Sequence, residues 1–306
     1  MCGSGRKTTF LPIALLLLAG ACGKEEDRSP RFSPEPPPGS AEIVFAVHPL
    51  HNPARLLEIY GPIVDRLNAQ IKEARFRLEA SRNYEEFEKK LLDRRFHFAL
   101  PNPYQTLRAM KCGYRVFGKM GDDQDFRGLI LVRKDSGIMQ VRDLRGGSVC
   151  YPAPTALAAT MMPQYFLHSR GLDTNRDIRN VYVGSQESSI RNVYLRLSVA
   201  GATWPVPWKA FQIEHPAQAA ELEVKWQTDS LLNNALVVRE DIPPDLTAKV
   251  GDVLFVLHTH EEGRSLLQRI PLSRFEPASN RTYEPVRTFV RKFSAEVRPV
   301  ETWDSP

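Results

Sequence analysis

Histidines, cysteines and paired carboxylates are the side chains that most often make or break bonds. In this 306-residue chain their spacing points away from such chemistry. His258-Thr259-His260-Glu261-Glu262 has metal-ligand residue types. Two histidines two apart face different sides of a helix, however, so a solvated helix end is the simpler reading. Cys112 and Cys150 lack zinc-site spacing; in an oxidising compartment they are either one disulfide or two buried thiols. Glu85-Glu86 reads as a solvated helix face. No Gly-x-Ser-x-Gly elbow, phosphate loop or dinucleotide fingerprint occurs. The one acid/base set that can be assembled is His48 or His51 with Glu187, so no catalytic residue, metal ligand or cofactor is assigned and no enzyme is expected.

What the residues offer instead is recognition. His48 and His51 follow a predicted strand, at the carboxyl end where open α/β sheets bind ligands. Trp204 and Trp208, framed by Pro205 and Pro207, form an aromatic turn suited to a pocket wall or a hydrophobic plug. Gln186, Ser188 and Ser189, at a predicted helix start, either hydrogen-bond a ligand or join Ser185 in capping. Asn233 and Asn234 precede a strand that can return the chain towards its first half.

Short apolar strands and amphipathic helices must position these groups. Strands are expected at 42–47, 76–79, 96–100, 129–133, 148–151, 181–183, 199–203, 223–227 and 235–239. Helices are expected at 53–73 (capped by Asn52, with Pro53 first), 84–94 (capped by Asn83), 102–111, 155–169 (kinked by Pro163 and ended by Gly171), 187–197, 250–257, 262–267 and 286–296. A short helical turn is expected at 141–144, and 204–208 breaks the pattern. Such alternation implies an open, largely parallel sheet flanked by helices.

The N-terminal end sets the compartment. Arg6 and Lys7 precede an apolar run, 10–19, too short to span a bilayer as a mature helix. Ala19-Gly20-Ala21-Cys22 resembles the lipobox of bacterial lipoproteins, with Leu18 one step ahead of the usual position. That resemblance implies a signal peptide at 1–21 and a lipid on Cys22. Residues 22–40, rich in proline and charge, read as a tether. Loss of Arg6 and Lys7 with the leader lowers the formal charge from +5 to +3, too little to imply a nucleic-acid partner.

Several phrases, in order, carry a wider resemblance: Phe98-Ala99-Leu100 with Asn102-Pro103-Tyr104; Leu129 to Arg133 with Lys134-Asp135-Ser136-Gly137-Ile138; Asp143-Leu144-Arg145-Gly146-Gly147; and Gly184-Ser185 before a helix. From Ala41 to Val297 the chain resembles the periplasmic phosphate/phosphite/phosphonate-binding proteins of ABC transporters. The resemblance implies a type II periplasmic binding protein fold, α/β and two-lobed, each lobe an open, mostly parallel sheet flanked by helices. Lobe 1 would comprise 41–130 with 236–306, lobe 2 would comprise 131–235, and the ligand would lie between them.

The family binds its anion at helix N-termini. Its Pro-x-Ser-Thr-Ser-Gly phrase, aligned on Pro163, falls on Pro154, Thr155, Ala156, Leu157, Ala158 and Ala159, so the hydroxyl residues become alanine and leucine. The family's histidine after Gly-Ser is Gln186, and Ser198 stands where an aspartate is usual. Tyr104 and Asn102 occupy the family's aromatic and amide positions, or are a core tyrosine and a helix cap. The ligand contacts thus expected are His48, Asn102, Tyr104, Thr155, Ala156, Gln186, Ser188, Ser189, Trp204 and Trp208. The resemblance implies a lipid-anchored, periplasm-facing solute-binding protein of the cell envelope. Its ligand is a small molecule, phosphorus oxyanions being candidates, and its partner an ABC permease. The alternatives are a sensory protein that signals to a membrane kinase and an enzyme on the same fold.

Overall fold

A computed structural model describes residues 41–300. The expected signal peptide, Cys22, the expected tether and 301–306 lie outside the described residues.

The first strand, β1 (Ala41–Val47), is followed by α1 (Pro53–Gln70), β2 (Ala74–Ala80), α2 (Tyr84–Leu92), β3 (Phe98–Leu100), α3 (Pro103–Lys111) and β4 (Tyr114–Met120). The chain then enters a second sheet through β5 (Arg127–Arg133), followed by β6 (Ser148–Tyr151). A π-helical turn (Leu157–Met161) runs directly into α4 (Met162–His168). Next come β7 (Arg179–Tyr182), α5 (Gln186–Tyr194), β8 (Ala200–Thr203), α6 (Pro205–Glu214), α7 (Pro216–Ala220) and β9 (Leu222–Ser230). The return is β10 (Ala235–Arg239), then α8 (Pro244–Phe255), α9 (Glu261–Arg269), β11 (Phe275–Pro277) and α10 (Glu284–Glu296).

The local rules account for these elements. Asn52 accepts the Arg55 N–H at 3.0 Å and starts α1, with Pro53 where a missing N–H costs nothing. Leu56, Ile59, Ile63 and Leu67 form the stripe that α1 buries. In β1 and β3, parallel pairing sets Phe45 opposite Phe98, whose rings stack with centroids 6.4 Å apart.

The first sheet has the order β11-β4-β10-β3-β1-β2 and the second β7-β6-β8-β5-β9, both flanked by helices. This is the two-lobed α/β architecture that the resemblance implies, although each sheet is mixed rather than mostly parallel. The parallel pairs are β1–β2, β1–β3, β6–β7 and β6–β8. The strands that carry the chain between sheets, β5 and β10, run antiparallel to their neighbours, as does β11 to β4. All of β5 pairs within the second sheet, so the sheet changes ahead of it, between Met120 and Arg127, and the 130/131 boundary falls inside a strand.

Two expectations are corrected. Residues 204–208 are not an aromatic turn but the start of α6, because prolines in a first helical turn have no N–H to lose. The helix expected over 155–169 begins only at Leu157, and its first turn is π-helical.

Candidate functional site

The loops leaving β1, β3, β6 and β8 meet where the lobes face each other, and the side chains there are already engaged. The His48 backbone N–H and ring Nδ1 both donate to Leu100 O, at 3.1 and 2.9 Å, fastening β1 to β3. Its ring packs edge-on against Tyr84 and Phe87, and burial pushes its pKa down to about 4. His51 is half-buried; desolvation and the Arg55 guanidinium lower its pKa to about 4 against the opposing pull of Glu187.

Asn102 caps α3 through its Oδ1, which accepts the Tyr104 and Gln105 N–H groups at 3.0 and 3.1 Å, while the Gln105 side chain caps back. The Asn102 amide also donates to Thr155 O, at 3.1 Å, from lobe to lobe. Tyr104 is buried in the first-lobe core. Ala156, Leu157, Ala158, Ala159, Met161 and Met162 join that same core, so the loop aligned with the family's hydroxyl phrase is an apolar seam.

Gly184, at φ +86°, turns the chain into α5, where Ser185 accepts the Ser188 N–H at 3.1 Å. Gln186 bridges the lobes: its Nε2 donates to the Tyr84 hydroxyl at 3.1 Å and its Oε1 accepts from Thr203 at 2.9 Å. Burial holds the Tyr84 phenol protonated, well above its ordinary range. Ser189 instead faces the second sheet, its Oγ 2.7 Å from Ala202 O and 3.1 Å from Cys150 O. The Ser188 hydroxyl takes a bond from Ser185 at 2.9 Å.

The two tryptophans part company. Trp204 packs at the lobe junction, its ring centroid 5.5 Å from Phe126. Trp208 lies in a separate second-lobe core, stacked on Phe211 at 6.0 Å. Asn233 and Asn234 brace the crossing strands; the Asn233 amide donates to Gly121 O at 2.7 Å. His260 caps α9 by accepting the Gly263 N–H at 3.0 Å. Cys112 and Cys150 are free thiols, one at the end of α3 and the other buried in β6.

Four residues that sequence reasoning passed over complete the junction. Glu88, buried on α2, accepts a hydrogen bond from the Thr155 hydroxyl across the junction. It also accepts from Gln105 Nε2 at 3.1 Å and Arg108 Nη1 at 2.7 Å. Tyr84 meets Gln186. Arg55 reaches Glu214 at 3.2 Å. Arg298, beyond α10, donates to Pro154 O at 2.7 Å and Gln164 Oε1 at 3.0 Å. The hollow left among His51, Arg55, Ser185, Gln186, Glu187 and Phe211 is about 50 Å³. An apolar cavity that admits benzene is about three times that size, at roughly 150 Å³.

Residues 45–283 match the family model of the periplasmic substrate-binding protein of phosphonate ABC transporters. The chain belongs to this family. Solved structures agree on the fold of this substrate-binding protein. A binding-protein component of an ABC phosphonate transporter from Pseudomonas aeruginosa superposes with a TM-score of 0.77 at 15% identity, covering 83% of this chain and 87% of that one. PhnD1 from Prochlorococcus marinus, in complex with methylphosphonate, gives 0.75 at 17% identity, covering 83% and 98%. The aliphatic sulphonate binding protein SsuA from Escherichia coli gives 0.59 at 11%, covering 87% and 94%. No curated protein sequence matches significantly. The family is one of periplasmic solute-binding proteins, not of enzymes. Among the described residues no helix is long and apolar enough to cross a membrane.

Proposed function

We propose that this substrate-binding protein is held to the membrane by a lipid on Cys22 and delivers a small solute to an ABC permease. The solute is taken between the lobes, and the closed form is what the permease reads. Differential affinity for the closed form is the only means by which a ligand can drive such a change. The observation that carries this reading is the convergence of the loops after β1, β3, β6 and β8 on one junction, in a chain whose family binds solutes.

The residues at the junction narrow the ligand. A tetrahedral dianion is held best by charge-assisted and hydroxyl donors. Here Ala156, Leu157, Ala158 and Ala159 are buried and apolar, and the Thr155 hydroxyl is spent on Glu88. Phosphate, phosphite and methylphosphonate are therefore weak ligands of the wild-type protein, and the cognate solute is of another class.

Native mass spectrometry of the purified soluble domain, followed by a thermal-shift screen, tests this. Phosphorus oxyanions are compared with uncharged aromatic and amine solutes. A ligand at one hundred times its Kd stabilises by about 2.7 kcal/mol. A clear shift with a solute that is not an oxyanion supports the proposal. Silence towards every solute class refutes solute binding, and a large shift with methylphosphonate refutes the ligand assignment.

A further inference from the structure

Helix α2 buries one face, and the spacing of that face is regular: Tyr84, Phe87, Glu88 and Leu91 stand at i, i+3, i+4 and i+7. Three are aromatic or aliphatic; the fourth is a carboxylate. Glu88 is only 8% exposed, a position where a carboxylate is tolerated only if paired and hydrogen-bonded. Its partners come from both lobes. Gln105 and Arg108, one helical turn apart on α3, donate from the first; the Thr155 hydroxyl, just ahead of the π-helical turn, donates from the second. An amide, a guanidinium and a hydroxyl converge on two carboxylate oxygens. That is the donor set of an anion site, and its occupant is part of the chain.

We infer that Glu88 is a resident anion and the specificity-determining residue of the lobe junction. Its carboxylate fills an anion site that Thr155, Gln105 and Arg108 build, ties the lobes together, and shuts external oxyanions out. This rests on reading the junction as the ligand site. The two can fail separately: the donor set is a property of Glu88 and its partners, whereas solute delivery concerns the whole protein.

Chemical rescue tests it. Glu88→Ala leaves the three donors around a carboxylate-sized gap. The melting midpoint is expected to fall by roughly 6 °C or more, because a buried polar cluster loses the acceptor that its donors share. Formate, acetate or phosphite at fixed ionic strength, but not chloride, should return at least half of that loss. On the wild-type protein the same anions should shift the midpoint by less than about 1 °C, the effect of an anion that does not populate a bound state. Glu85→Ala, an exposed carboxylate on the same helix, should show neither loss nor rescue. In the Glu88→Ala, Thr155→Val double variant the rescue should shrink.

Rescue no better than chloride overturns the inference, as does a wild-type shift with phosphite equal to that of Glu88→Ala. If Glu88→Ala does not fold, the test moves to Thr155→Val in the wild-type background. Radius of gyration by solution scattering should then increase, because the hydroxyl tie between lobes is gone; an unchanged radius overturns the latch. Rescue of Glu88→Ala together with silence of the wild-type protein to every solute supports the anion site while refuting solute delivery.

Discussion

Acidification places a proton on His48 in the unfolded chain well before the folded chain accepts one. An unstructured histidine titrates near 6.5, whereas in the fold burial lowers the pKa of His48 to about 4. Between those values the unfolded state holds a proton that the native state lacks, so stability falls as pH falls, by about 1.4 kcal/mol per pH unit for one such group. Across the whole interval the loss reaches about 3 kcal/mol from His48 alone, or roughly 6–12 °C in melting midpoint for a chain of this size. Below about pH 4 the contribution levels off, since both states are then protonated. The groups that set this shift are the Leu100 carbonyl, which opposes it, and His51, which adds to it.

The assay is urea unfolding at a series of pH values for the wild-type protein and His48→Asn, whose amide retains a donor towards Leu100 O but has no proton to gain. His51 and His97, whose pKa values are also lowered by burial, titrate in both proteins, so the difference between the two curves reports His48 together with its coupling to His51. The variant will be less stable at neutral pH, because the ring contacts with Tyr84 and Phe87 are lost. The diagnostic quantity is the slope. Parallel curves between about pH 6.5 and 4 would refute the claim that His48 is buried neutral.

Further outcomes follow from single positions. In Gly201→Ala the added Cβ would lie 2.6 Å from Val193 Cγ2 and 2.8 Å from Cys150 Sγ, so the urea midpoint should fall by the equivalent of about 1–3 kcal/mol. Leu157→Ala should cost about 2–5 kcal/mol and increase the radius of gyration in solution scattering, because this leucine packs in the core shared across the junction. Cys150, buried and with its thiol pushed up by burial, should react with a thiol reagent only after denaturation, whereas half-buried Cys112 reacts in the native protein. Cys22→Ser should abolish incorporation of labelled lipid and move the protein from the membrane pellet to the soluble fraction.

Much of the fold was legible because its signals are local. Asn52, Asn83 and Asn102 each cap a helix from the position that their residue type suggests. Two strands, β4 and β11, lack a clear sequence signal for physical reasons. In β4, Lys119 interrupts the apolar pattern, yet it is buried and bonded at 2.8 Å to Asp123, just past the strand, and at 2.6 Å to Glu276, which is remote in sequence. β11 is three residues long, ends in Pro277 and occupies a sheet edge, where a missing N–H is tolerated. Pro205 and Pro244 look like chain breaks in the sequence, yet both begin helices, where a missing N–H costs nothing.

The site was less legible, because its meaning lies in pairings between distant segments. The apolar substitution at 156–159 could be seen in the sequence, but what it packs against could not. Glu88 and Thr155 lie 67 residues apart, and no local pattern joins them. One signal was nonetheless available. A helix that keeps i, i+3, i+4, i+7 spacing and places a carboxylate at one of those positions contradicts its own burial rule, and such contradictions concentrate where a structure gives up stability for function. Glu85 and Glu86 are adjacent carboxylates, yet each lies off that face, and Lys90 bonds Glu86 at 2.8 Å on the solvent side. The informative carboxylate was the isolated one among aromatic neighbours, because only there must the rest of the molecule supply the donors that water would otherwise provide.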